Sequence, residues 1–86
     1  MGTTSKYNGK LNVFGNILKE YRLKNDLSMA QLSNKFQLLG IDLPAQSIHL
    51  IENNRRIIKD YELGGFAKIF NISTDKLFKE FYKELE

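Results

Sequence analysis

A short polar segment and the basic run after it hold the side chains of this sequence that are best suited to binding chemistry. Helical spacing over residues 45–53 places isoleucines on one face and the polar side chains of Gln46, His49 and Asn53 on another. Amide and imidazole groups donate and accept hydrogen bonds, and the cations of residues 55–59 can pair with anions. This combination suits a polar, anionic partner, although each feature alone is also typical of a solvent-exposed helix and loop.

The same side chains do not form a catalytic or metal-binding pattern. His49 is the one histidine in 86 residues and cysteine is absent, which excludes disulfides, iron–sulfur clusters and cysteine-ligated zinc. A catalytic histidine would need a nucleophile and an orienting group, and the sequence supplies neither these nor a phosphate-binding glycine loop. We therefore expect a protein that is not an enzyme and that has no metal or other cofactor.

Length and composition indicate one small domain with a basic bias. With 86 residues, of which 42% are hydrophobic, the chain can close one core. No apolar run of membrane-spanning length and no signal-peptide core is present, so we expect no membrane partner and a cytoplasmic location, which the lack of cysteine also suits. Residues 1–59 carry nine basic and four acidic side chains, for +5, whereas residues 60–86 carry four and six, for −2. The basic excess therefore lies in the first two thirds of the chain.

Hydrophobic spacing and helix caps predict an all-α domain of five short helices over residues 11–86, with no strand pair. Residues 1–10 lack periodicity and carry two lysines, which is typical of a flexible basic arm. The helices are expected at residues 11–26, 28–39, 45–53, 61–70 and 73–85. Ser28 and Gln31 predict a capping box for the second helix, and Asp60 is expected to cap the fourth.

The apolar faces of these helices predict the core. In the second helix the inward side chains are expected to be Ala30, Leu32, Phe36 and Leu39. The glycines at 64–65 cost about 1 kcal/mol each relative to alanine in a helix, so close helix packing is expected there. The fifth helix carries a wide apolar stripe made of Leu77, Phe78, Phe81, Tyr82 and Leu85.

Four segments occur in an order that has a family likeness: Leu27–Ser33, Ser47–Arg56, Tyr61–Leu63 and Ile72–Leu77. Together they resemble the Xre/Cro family of lambda-repressor-like transcriptional regulators. The resemblance implies a five-helix lambda-repressor-like DNA-binding domain whose helix-turn-helix is formed by helices two and three. It also implies a homodimer that binds an inverted repeat in double-stranded DNA, with the third helix in the major groove.

The resemblance assigns roles to side chains of the third helix. The family reads base edges from the first turns of this helix, which here contain Ala45, Gln46, Ser47 and His49, and Asn53 at its end completes the polar face. Gln46 is the strongest candidate, because its amide can donate to N7 and accept from N6 of adenine. A solvated surface amide is the alternative for Gln46, and a phosphate contact is the alternative for His49.

Phosphate contacts are implied on either side of this helix. The resemblance maps Arg55, Arg56 and Lys59 onto the loop that the family presses against the sugar-phosphate backbone, where cations add affinity without sequence information. Ser28, at the start of helix two, can also offer the first amides of that helix to a phosphate, because these amides carry a partial positive charge. A solvated basic loop and a plain helix cap are the alternatives.

Two further positions are implied to be structural. The family commonly pairs an arginine at the position of Arg22 with a glutamate at that of Glu52, which locks helix one to the end of helix three.

The chain departs from the family pattern between helices two and three. Fifteen residues separate Leu32 from Ile48, more than in the compact phage repressors. Pro44 also stands where a serine or threonine cap is usual.

An alternative function rests on the last helix. Its apolar stripe is wide enough to serve a second protein, so the chain could be an antitoxin-like or partner-binding module. Steep loss of binding with rising salt would distinguish DNA binding from such an apolar contact.

Overall fold

The computed structural model describes residues 6–86 and contains five α-helices in that range. They are α1 (Gly15–Lys24), α2 (Met29–Leu38), α3 (Ala45–Glu52), α4 (Asp60–Phe70) and α5 (Thr74–Glu84). This part of the chain contains no β-strand, only one isolated bridge between Tyr7 and Lys10. The prediction of an all-α domain with five helices is confirmed for residues 6–86. None of these helices has the length and apolar character needed to cross a membrane.

Capping side chains define the starts of α2 and α5. The Ser28 hydroxyl accepts the Gln31 N–H at 3.0 Å, and the Gln31 side chain accepts the Ser28 N–H at 2.8 Å. This is the predicted capping box, which satisfies two amides that the helix itself cannot. The Ser73 hydroxyl accepts the Lys76 N–H in the same way at 3.2 Å.

The starts of α1 and α4 differ from the sequence prediction. Helix α1 begins at Gly15 because the Asn12 side chain accepts the Phe14 N–H at 2.8 Å, which holds the preceding residues in a turn. In α4 the cap position is occupied by Lys59, and Asp60 is the first helical residue.

The core lies where α3 packs on α1 and α2, and where α4 packs on α1, α2 and α5. It is made of Phe14, Leu18, Leu32, Phe36, Leu43, Ile48, Ile51, Phe66, Ala67, Phe70 and Leu77. Burying these side chains stabilises the fold and leaves the opposite faces of the helices for solvent or a partner.

Two core predictions for α2 are wrong. Ala30 and Leu39 are exposed, whereas Leu32 and Phe36 are fully buried. Ala30 lies roughly 200° around the helix from Leu32, and Leu39 is the residue after the last helical turn. Leu43, in the connector after α2, enters the core instead and is 1% exposed.

The predicted close packing at the paired glycines is present at one of them. A Cβ atom on Gly65 would overlap the ring of Phe36, whereas one on Gly64 would meet nothing within 4 Å. Helix α4 therefore approaches α2 closely at Gly65, and the helix-destabilising effect of Gly64 has no packing compensation.

Most of the apolar stripe of α5 is used inside the molecule. Leu77 is buried, and the ring of Phe78 packs edge-on against Phe14 with centroids 4.8 Å apart. Tyr82 and Leu85 remain 53% and 59% exposed. The stripe is thus mainly the surface by which α5 packs on α4 and on the segment that precedes α1.

Residues 6–10 of the predicted arm form a turn, while residues 1–5 lie outside the described part of the chain. Tyr7 and Lys10 exchange two backbone hydrogen bonds of 3.0 and 2.9 Å around Asn8 and Gly9, both of which have positive φ. The ring of Tyr7 meets that of Phe81 edge-on at 5.3 Å. The turn therefore rests on α5.

Candidate nucleic-acid interface

Helix α3 has one buried apolar face and one exposed polar face. Ile48 and Ile51 are 0% exposed, which anchors the helix in the core. The side chains of Gln46 and His49 are exposed, and neither makes a hydrogen bond to another residue in the range 6–86. Because Ile48 and Ile51 hold one side of α3 in the core, these polar groups are held on a surface that a partner can reach.

The first turn of α3 is also accessible. Ala45 and Ser47 are half-buried, and Pro44 occupies the cap position without a side-chain hydrogen bond to the helix. A proline side chain has no acceptor, so it cannot satisfy the first-turn amides as serine or threonine would. The Ser33 hydroxyl instead donates to the carbonyl of Leu43 at 2.7 Å, which ties α2 to the connector that leads into α3.

Two asparagines follow α3, and their side chains make different hydrogen bonds. The Asn53 side chain is exposed and its amide donates to the carbonyl of His49 at 2.8 Å, so part of its hydrogen-bonding capacity is used within the helix. Asn54 adopts a left-handed backbone conformation, φ 60°, and its side-chain oxygen accepts the N–H of Gly15 at 3.0 Å. A Cβ at position 15 would overlap the carbonyl of Glu52, so glycine is needed where α1 meets the end of α3.

The loop between α3 and α4 presents two cations to solvent. Arg55 is exposed, and its guanidinium makes no hydrogen bond within the described residues. Lys59 is also exposed, with its Nζ 5.8 Å from the centroid of the Tyr61 ring. Both cations are therefore open to an anion.

Arg56 is engaged differently from the other two loop cations. Its Nη1 and Nη2 donate to Oε1 and Oε2 of Glu62 at 2.8 and 3.0 Å, and Nη1 also donates to the carbonyl of Ile57 at 3.0 Å. The hydrogen bond to Glu62 raises the pKa of Arg56. Sequence reasoning grouped Arg56 with Arg55 as a phosphate contact, but its guanidinium is turned toward the protein.

Glu62 is a buried carboxylate that sequence reasoning did not identify. Burial by itself raises its pKa, but hydrogen bonds from Arg56 and from the backbone N–H of Lys59, with the charges of both residues, bring the net pKa below its ordinary value. The side chain is therefore ionised at neutral pH. An acidic residue in the first turn of a helix after a basic run is the sequence signal for this pair.

The ion pair implied for Arg22 and Glu52 is present. Arg22 Nε and Nη2 lie 2.7 and 3.1 Å from the two carboxylate oxygens of Glu52, and Nη1 donates to the carbonyl of Leu27 at 2.9 Å. The hydrogen bond to Glu52 raises the pKa of Arg22. The pair joins α1 to the end of α3 and to the residue before the α2 cap.

Ser28 is exposed, and its hydroxyl oxygen accepts the Gln31 N–H in the α2 cap described above.

Asn12 is a second residue that was not identified from the sequence. Its Nδ2 donates to the carbonyls of Ile51 and Arg56 at 3.0 and 2.9 Å. No local pattern marks such a residue, because its partners lie 39 and 44 positions away. Within residues 6–86, no three His, Asp or Glu side chains are grouped to hold a metal ion.

Comparisons of the chain with models of protein families, with curated proteins and with solved structures each found no match.

Proposed function

We propose that this protein is a sequence-specific DNA-binding transcriptional regulator, a repressor, that acts as a homodimer on an inverted repeat. In this proposal α2 and α3 form the helix-turn-helix of a lambda-repressor-like domain, and α3 enters the major groove. The cytoplasm is the proposed compartment, which the absence of cysteine suits.

The polar face of α3 is the observation that carries the proposal. Gln46 and His49 project from a helix whose other face is fixed in the core by Ile48 and Ile51. A rigid helix with uncommitted hydrogen-bonding side chains is what direct readout of base edges requires. Gln46 is the proposed adenine-reading residue, and Ala45, Ser47 and Asn53 line the same helix.

Two exposed cations in the loop after α3 support this orientation of the helix. The exposed cations Arg55 and Lys59 follow the helix directly, and residues 1–59 carry the basic excess of the chain. Cations beside a reading helix neutralise phosphates, release counterions and hold the helix in register. Ser28 remains a proposed contact through the start of α2.

Selection of bound sequences from random duplexes at about 150 mM salt tests the proposal. The wild-type protein is expected to enrich a two-fold symmetric sequence. Gln46→Ala is expected to relax one position in each half-site, with a loss of about 1–3 kcal/mol of discrimination there.

Gln37→Ala is the matched control, because Gln37 is also an exposed glutamine on a helix, in this case α2. It should retain the wild-type consensus. Lack of enrichment by the wild-type protein, or the same relaxed consensus for both variants, would contradict base reading by α3.

A second candidate function, binding of another protein through α5, is favoured only by the exposure of Tyr82 and Leu85. The other stripe residues pack within the molecule, which reduces the apolar surface left for a partner. If α5 serves a protein partner, Tyr82→Ser with Leu85→Ser should abolish that binding and leave duplex binding intact. Binding that is insensitive to salt would favour this candidate over DNA.

A further inference from the structure

The α3–α4 loop is held at both ends by side chains outside the proposed DNA-contacting set. We propose that Glu62 and Asn12 are positioning residues for DNA binding, and that Arg56 acts through Glu62 and does not contact phosphate. This inference rests on the proposed function, because it concerns how the loop presents Arg55 and Lys59 to a duplex.

Glu62 fixes the second half of the loop. Its carboxylate is 1% exposed and accepts three hydrogen bonds, two from the Arg56 guanidinium and one from the Lys59 backbone N–H at 3.0 Å. A bidentate arginine–carboxylate pair restricts both the distance and the plane of the two groups. The Arg56 side chain and the Lys59 backbone are therefore tied to the first turn of α4.

Asn12 fixes the first half of the loop. Its two amide hydrogens go to the carbonyls of Ile51 and Arg56, and its oxygen accepts the Phe14 N–H. Only a side chain that carries two donors and an acceptor can make all three bonds at once. The carbonyl of Asn54 also accepts the Leu11 N–H at 3.0 Å, so the segment before α1 holds the loop at two points.

Arg55 lies between these tethered points. Its backbone N–H donates to the carbonyl of Leu50 at 2.8 Å, while its side chain is exposed. A loop that is already ordered loses less conformational freedom when its cations meet phosphates. The tethers thus increase affinity without touching DNA.

The two roles for Arg56 predict opposite effects of removing the Glu62 charge. If Arg56 contacts phosphate, Glu62 competes for its guanidinium, and Glu62→Gln should free that group and strengthen duplex binding. If Arg56 positions the loop through Glu62, the same substitution should weaken duplex binding. Removal of any carboxylate makes the chain more basic, so a control for charge is needed.

The experiment measures the affinity of the full chain for one fixed duplex, and its salt slope, with samples shown to be folded by circular dichroism and urea titration. Glu62→Gln is expected to weaken binding about five- to tenfold, as loss of hydrogen bonds to a charged group implies. Glu80→Gln is the charge-matched control on the exposed face of α5 and should bind as tightly as wild type or slightly more tightly.

Arg56→Lys provides a second measurement that does not depend on the folding of Glu62→Gln. Lysine keeps the charge but cannot form the bidentate pair, so positioning predicts weaker binding, whereas a phosphate contact made through charge alone predicts wild-type affinity and slope. The double variant is expected to bind no more weakly than Glu62→Gln alone, because both changes break one interaction.

Asn12→Ser tests the other tether and should also weaken binding. Wild-type or tighter binding by Glu62→Gln, or by Arg56→Lys, would overturn the inference while leaving the proposed function intact. Failure of the wild-type protein to bind any duplex would overturn the proposed function and this inference with it.

Discussion

The guanidinium of Arg22 on α1 and the carboxylate of Glu52 at the end of α3 form a bidentate ion pair in the interior of the protein. The two side chains are 9% and 2% exposed. A third donor of Arg22 reaches the carbonyl of Leu27, so one side chain joins α1, the end of α3 and the connector that leads into α2. The orientation of the proposed reading helix therefore depends on a polar contact as well as on the core.

Arg22→Ala should lower the free energy of unfolding by about 3–5 kcal/mol, because it leaves the Glu52 carboxylate buried without a partner. Urea denaturation measures this change. Lys24→Ala, at an exposed basic position of the same helix, should change it by no more than about 0.5 kcal/mol. A loss below about 1 kcal/mol for Arg22→Ala would show that the pair behaves as an exposed one.

Gly64→Ala and Gly65→Ala should change stability in opposite directions. Alanine at position 64 meets open space and favours the helix by about 1 kcal/mol. Alanine at position 65 would press its Cβ into the Phe36 ring and should cost about 1–3 kcal/mol. Melting temperatures of the two variants check this, and a stabilising Gly65→Ala would contradict the close approach of α4 to α2.

Acid should remove the stability that Glu62 contributes. Because its pKa is lower in the folded protein than in the unfolded chain, where it is roughly 4.3, this contribution is complete above that pH. It is lost as the pH falls through the lower, folded value. The unfolding free energies of wild type and Glu62→Gln should differ by about 1–3 kcal/mol at pH 7 and converge in acid.

Urea titrations between pH 7 and pH 3 measure this difference. Glu80→Gln, which removes an exposed carboxylate, should lie within about 0.5 kcal/mol of wild type at pH 7. A difference between wild type and Glu62→Gln that stays constant down to the lowest pH would contradict a lowered pKa.

The salt dependence of duplex binding should show whether a given cation of the α3–α4 loop contacts a phosphate. If Arg55 neutralises one phosphate, Arg55→Ala should reduce the slope of log affinity against log salt by about 0.9 and weaken all sequences alike. Lys79→Ala removes one exposed charge on α5 and should leave the slope unchanged. Equal slopes for wild type and Arg55→Ala would exclude a phosphate contact at this residue.

Local patterns predicted the elements of this fold more reliably than the partners of its side chains. The Ser28 capping box and the isoleucines of α3 follow from residues three or four positions apart, and both are present. The partner of Arg56 was not predicted from local patterns. Its position in a basic run suggested a solvent-facing cation, but Glu62, six residues later, holds its guanidinium.

The amino-acid sequence specifies the five helices locally, because caps and 3.6-residue periodicity act within a turn or two of the chain. It also determined the exposed polar face of α3, since the buried isoleucines leave those side chains on the other side. Tertiary packing places Leu43 in the core, brings Gly65 against Phe36, and lets Asn12 link two distant backbone carbonyls. These three contacts depend on how the helices and connectors pack against one another, and the spacing of residues along the chain does not encode that packing.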